Sequence, residues 1–141
     1  MATATASRTY PVDLETMWSL WTDPAHLGRW FRPSADEFGP TLASIDLREG
    51  GAVRFEMIRT TGEVHAVSGQ IVTLEPPHRL SYTWKWDGEE NESVVAFDFI
   101  ETDDGTNVAI THSSLVDKDD AERHAFGWNG MLTTLAHDSV H

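Results

Sequence analysis

Seven histidines, six tryptophans and no cysteine set the chemistry open to this 141-residue chain. Without thiols there is no disulfide, no thiolate metal site and no cysteine nucleophile. His112 is the leading polar candidate. It follows Val108 and Ile110 at alternate positions, so it points with them to the inward face of a strand. An imidazole there either orients a carbonyl or hydroxyl of a bound molecule or is a buried side chain bonded to its neighbours. With Tyr82 beside it, the same group is the acid/base that a cyclase- or dehydratase-like reaction needs. The other histidines are dispersed, with no His-Glu-x-x-His pattern. His137 and His141 stand four apart, but at the chain end, and no metal or cofactor is expected. Ser68-Gly69 lies inside a strand pattern rather than a nucleophile elbow. Glu49-Gly50-Gly51-Ala52 precedes a strand, not a helix, and reads as a turn rather than a phosphate loop. No catalytic residue is assigned.

The second candidate set is aromatic. Leu80, Tyr82, Trp84 and Trp86 alternate with Ser81, Thr83 and Lys85, the cleanest period-two pattern in the chain. Phe55 and Met57 sit on a neighbouring strand, Trp128 and Leu132 on a C-terminal helix, and Trp30 and Phe31 on a short helix placed to gate an entrance. Taken singly, each is ordinary core. Together with His112, these residues form the expected lining of a cavity for a small apolar or aromatic molecule, since each large ring buries about 150–250 Å². Asp98 is in phase with Val94 and Ala96, and is read as exposed. Arg54 and Glu56 alternate away from the apolar face and are read as a solvated cross-strand set.

The elements that must position these groups follow from the patterning. Residues 6–12 read as a strand ending at Pro11. Asp13 is placed to cap a helix carrying the stripe Leu14, Met17, Leu20 and Trp21, which stops at Asp23-Pro24. A second short helix spans residues 25–31, and a Pro- and Gly-rich loop covers 32–43. Strands follow at 44–48, 52–59, 64–75 (with a bulge at Gly69), 79–86, 93–101 and 106–113. A long helix runs from Asp117 to about His137, with Ala121, Ala125, Trp128, Leu132 and Leu135 as its stripe and acids at its N-terminus. Gly127 and Gly130 inside it cost about 1 kcal/mol each relative to alanine and predict close backbone approach or a bend. This is α+β: an antiparallel sheet wrapped around a long C-terminal helix, with two short helices after the first strand. A single domain over residues 1–141 is expected, and folding buries roughly two thirds of the extended chain's surface.

Charge narrows the partners. Residues 1–86 carry 8 basic and 10 acidic side chains, and residues 87–141 carry 2 and 13, for a net charge of −13. Such a field repels nucleic acid and anionic membranes. No apolar run approaches the roughly 20 residues of a membrane span, and the N-terminus lacks signal-peptide character, so a cytoplasmic protein is expected.

The ordered series Pro11–Trp18, Thr22-Asp23-Pro24, Leu27…Trp30, Asp46-Leu47-Arg48-Glu49-Gly50-Gly51, Gly69, Glu75-Pro76-Pro77-His78-Arg79-Leu80, Tyr82-Thr83-Trp84, Gly105-Thr106, Thr111-His112 and Gly127-Trp128 covers nearly the whole chain. It resembles the family of activator of heat-shock-protein ATPase homologues, within the START/SRPBCC helix-grip superfamily. The resemblance implies the helix-grip fold, a cavity between sheet and final helix, frequent homodimers and no shared catalytic motif. A chaperone activator carries a further chaperone-binding domain that this length does not hold. The expected function is a small hydrophobic ligand-binding or carrier domain. The alternatives are the cyclase-like enzyme and a stress-response interaction protein using the acidic face 87–104.

Overall fold

The period-two stretches fold as one antiparallel sheet, and the 3.6-period stretches as the helices packed on it. The structure is a computed structural model and describes residues 1–139. The elements are β1 (Ala2–Tyr10), α1 (Leu14–Thr22), α2 (Pro24–Trp30), β2 (Leu42–Ile45), β3 (Ala52–Ile58), β4 (Val64–Glu75), β5 (Arg79–Trp86), β6 (Ser93–Thr102), β7 (Gly105–Leu115) and α3 (Lys118–Ser139). The strands lie in the order β1-β7-β6-β5-β4-β3-β2. The chain thus returns its last strand beside its first, and α3 packs chiefly against β1 and β7. This is the helix-grip arrangement.

Local chemistry explains the boundaries. Pro24 starts α2, with the Asp23 carboxylate accepting the Ala25 N–H at 2.9 Å. Asp13 precedes α1, but its side chain makes no cap bond. Asp117 does cap α3, accepting the Asp120 N–H at 2.8 Å, while the Asp120 carboxylate accepts the Val116 N–H at 3.1 Å. Replacing Asp117 with alanine is expected to lower stability by about 1 kcal/mol, read as a shift of the urea midpoint without a change in slope.

Three readings are corrected. β1 starts at Ala2 and ends at Tyr10, because its ladder to β7 runs from Ala2–Leu115 to Tyr10–Thr106. β2 covers residues 42–45 rather than 44–48, since Asp46 already turns back to the Ala52 carbonyl. The irregularity in β4 falls between Ile71 and Thr73, not at Gly69. Gly69 serves close approach instead: a Cβ there would lie 1.8 Å from the Thr83 carbonyl oxygen.

The core is aromatic. Trp21 meets Trp30 at 4.6 Å and Phe97 at 4.7 Å between ring centroids, and Phe31 stacks on Phe55 at 4.3 Å. Tyr10, from β1, donates its hydroxyl to the Leu132 carbonyl at 2.7 Å and ties the sheet edge to α3.

Candidate functional site

β3, β4 and β5 diverge from α3 at one end of the sheet and leave a pocket of about 810 Å³. That volume falls within the range that holds a small organic molecule. Its apolar lining comprises the nearly buried Met57, Trp84, Trp128 and Met131 with the more exposed Val64 and Trp86, and its rim carries Arg54, Asp87, Glu89 and Arg123. Arg54 grips the Asp87 carboxylate with two bonds of 2.9 and 3.1 Å and also reaches Ser68 Oγ at 2.7 Å. Those bonds hold the Asp87 carboxyl below its ordinary range.

Glycine decides the shape of the helix wall. At Gly130 a Cβ would lie 2.2 Å from the Pro33 carbonyl oxygen, so glycine there allows α3 to seat against the chain leaving α2. At Gly127 a Cβ would meet nothing within 4 Å, and the residue lines the pocket. Of the two alternatives expected of these glycines, close approach or a bend, close approach holds for Gly130; Gly127 leaves open space.

His112 lies behind the pocket wall, fully buried. The Trp128 indole N–H donates to its Nδ1 at 2.9 Å. Nδ1 is thus the unprotonated nitrogen, and Nε2–H donates to Ser93 Oγ at 2.7 Å. Ser93 in turn donates to the Trp84 carbonyl at 3.1 Å. Both ring nitrogens are committed, so His112 fixes tryptophans rather than meeting a ligand. Burial, then the neighbouring His124, push its pKa down to about 3, with Asp120 opposing.

His124, which the sequence reading did not single out, does line the pocket. It is half-buried. Its Nδ1 lies 2.9 Å from the Asp120 carbonyl oxygen and 3.3 Å from the Asp120 carboxylate. Its Nε2 accepts the Trp86 indole N–H at 3.1 Å. The sequence held one signal: His124 is one turn before Trp128 and four residues after Asp120, a spacing that stacks side chains on one helix face. Trp84, between the two histidine-bonded indoles, has no acceptor for its own N–H among the described residues.

Comparison with known proteins agrees with this architecture. The family model for activator of Hsp90 ATPase homolog 1-like protein matches residues 11–137. The chain belongs to that family. No curated protein matches it. Among solved structures, it is similar to the AHSA1 protein from Silicibacter pomeroyi at 27% identity and TM-score 0.86, covering 99% of this chain and 98% of that one. It is similar to the AHSA1-like protein from Aeromonas hydrophila at 26% identity and TM-score 0.80, covering 96% and 90%. A third similar structure, from Rhodobacter sphaeroides, has 21% identity and TM-score 0.83, covering 98% and 92%.

Within this AHSA1-like frame the expected lining residues separate. Met57, Trp84, Trp86 and Trp128 border the pocket. Trp30, Phe31, Phe55, Tyr82 and Leu132 belong to the packed core, because ring-on-ring contacts consume the space beneath the helix. Trp30 stands at no entrance; its indole N–H donates to the Leu20 carbonyl at 2.8 Å. Tyr82 is buried against Trp84, and desolvation pushes its hydroxyl pKa up. Asp98 is half-buried in an ion pair with Arg79. Arg54 and Glu56 form the solvated cross-strand set expected of them, with Arg54 also bonded to Ser68 and Asp87, and both border the pocket. Among the described residues no group of three His, Asp or Glu side chains converges as a metal site, and His141 lies outside them. No helix among them is long and apolar enough to cross a membrane.

Proposed function

We propose that this chain binds a small, largely apolar or aromatic molecule in the pocket between β3–β5 and α3, as a ligand-binding or carrier domain. Gly127 carries the reading. A glycine in mid-helix costs about 1 kcal/mol relative to alanine. At Gly130 a backbone contact accounts for that cost; at Gly127 a Cβ would meet no protein atom within 4 Å. The stability forgone at Gly127 maintains volume, and the indoles of Trp84, Trp86 and Trp128 border that volume. Apolar burial at roughly 25 cal/mol per Å² supplies the drive. The helix-grip architecture and the family membership support the same reading. His112 is not the orienting group, since its two nitrogens are engaged internally.

Native mass spectrometry of the purified protein, before and after denaturation, tests it. The native chain is expected to carry a reproducible extra mass that leaves on denaturation. The Gly127→Leu variant, which fills the pocket from α3, is expected to fold and to lose that mass. Retention of the same mass by Gly127→Leu, or its absence from the native chain even after incubation with a panel of aromatic compounds, overturns the proposal.

A further inference from the structure

The two histidines beside the pocket have opposite tolerances for a proton. His112 is closed to a second one: burial opposes its charge, and Trp128 already points a donor at Nδ1. His124 is different. Its Nδ1 faces only acceptors, the carbonyl and carboxylate oxygens of Asp120, and must carry the ring proton. Its Nε2 is the acceptor for Trp86. A second proton on His124 therefore lands on Nε2, opposite the Trp86 N–H at 3.1 Å, and turns a hydrogen bond into two donors facing each other.

We infer that the Trp86–His124 bond is a protonation-sensitive latch on the pocket: with His124 neutral it holds Trp86 in the wall, and with His124 charged it releases Trp86. The groups facing His124 favour this division. From α3, Asp120 stabilises the imidazolium, and Arg123, 3.2 Å from the same carboxylate, opposes it. From β7, the His112 ring lies 4.8 Å away between centroids and stays neutral. From β5, Trp86 contributes only its N–H, and the acids Asp87 and Glu89 follow it along the rim. Trp86 is half-buried and borders the pocket, so its release changes the surface offered to a ligand. The inference rests on the pocket being the binding site, but the latch is read without any ligand.

The test is long-range proton–nitrogen NMR of the intact protein along an acid titration from about pH 8 to about pH 5. The expected result is a common midpoint for His124 ring protonation and displacement of the Trp86 indole N–H resonance, with the His112 signals fixed in the Nε2–H form. In His124→Gln, whose amide oxygen still accepts from Trp86, the indole resonance is expected to be independent of pH. A Trp86 resonance that stays put while His124 titrates overturns the latch, as does a His124 that never charges in this interval. So does a Trp86 shift that persists in His124→Gln. Each of these outcomes leaves the native mass result untouched, so the latch and the binding proposal fail separately.

Discussion

Gly130→Ala is expected to destabilise the fold, while Gly127→Ala, three residues earlier on the same helix, stabilises it. Both changes add one methyl group and gain about 1 kcal/mol of helix propensity. They differ in what the methyl meets. At position 130 it would lie 2.2 Å from the Pro33 carbonyl oxygen, a backbone atom that no rotamer change can move aside. Either α3 shifts outward or the segment after α2 yields. The cost is that of overpacking at its upper end, about 3 kcal/mol, for a net loss of about 2 kcal/mol. At position 127 nothing opposes the methyl group. The two variants are therefore expected to differ by about 3 kcal/mol, or roughly 10 °C in melting temperature for a chain of this size. Thermal unfolding of the pair reads it directly. Equal melting temperatures would show that α3 does not seat on Pro33, and would remove the contrast that singles out Gly127.

The course of the chain was legible because its periodicity is strong. Leu80, Tyr82 and Trp84 alternate cleanly and are buried, although Ser81 between them is buried too; Val108, Ile110 and His112 are buried in strict alternation on β7. The turn at Pro76-Pro77 and the stop at Asp23-Pro24 follow from proline geometry, which one residue fixes locally. The site was legible only in part, because a pocket is a relation between elements. Periodicity places Phe55 and Trp84 on one face, but not which ring fills the space that another vacates. Phe31 stacks on Phe55 and takes them both into the core, whereas Trp86, at the end of β5 beyond that stack, remains at the wall. The same limit hid His124. Its role depends on Trp86 arriving from a strand 38 residues away. Gly127 and Gly130 look alike in sequence, and only the position of Pro33 distinguishes them.

His112→Ala is expected to have the larger effect, a loss of about 4–5 kcal/mol and of most of the folded population. Removing the ring opens a cavity in a closely packed region and leaves the Trp128 indole N–H without its acceptor, while the Ser93 hydroxyl loses a donor but keeps its bond to the Trp84 carbonyl. The buried orphan costs about 1–3 kcal/mol. His112→Gln separates packing from titration, since an amide can accept from Trp128 and donate to Ser93 but takes no proton. The pH dependence has a definite sign. His112 in the folded protein has a pKa of about 3, below the ordinary imidazole value of 6.5, so between those values the unfolded chain binds a proton that the folded one does not. Its contribution to stability is complete above about pH 6.5 and declines as pH falls toward 3, by at most about 1.4 kcal/mol per pH unit. Urea midpoints at about pH 7 and about pH 4 should then fall further in the native chain than in His112→Gln. If the two fall equally, His112 is charged in the fold. Trp128 would then be donating to a protonated nitrogen, which the geometry forbids.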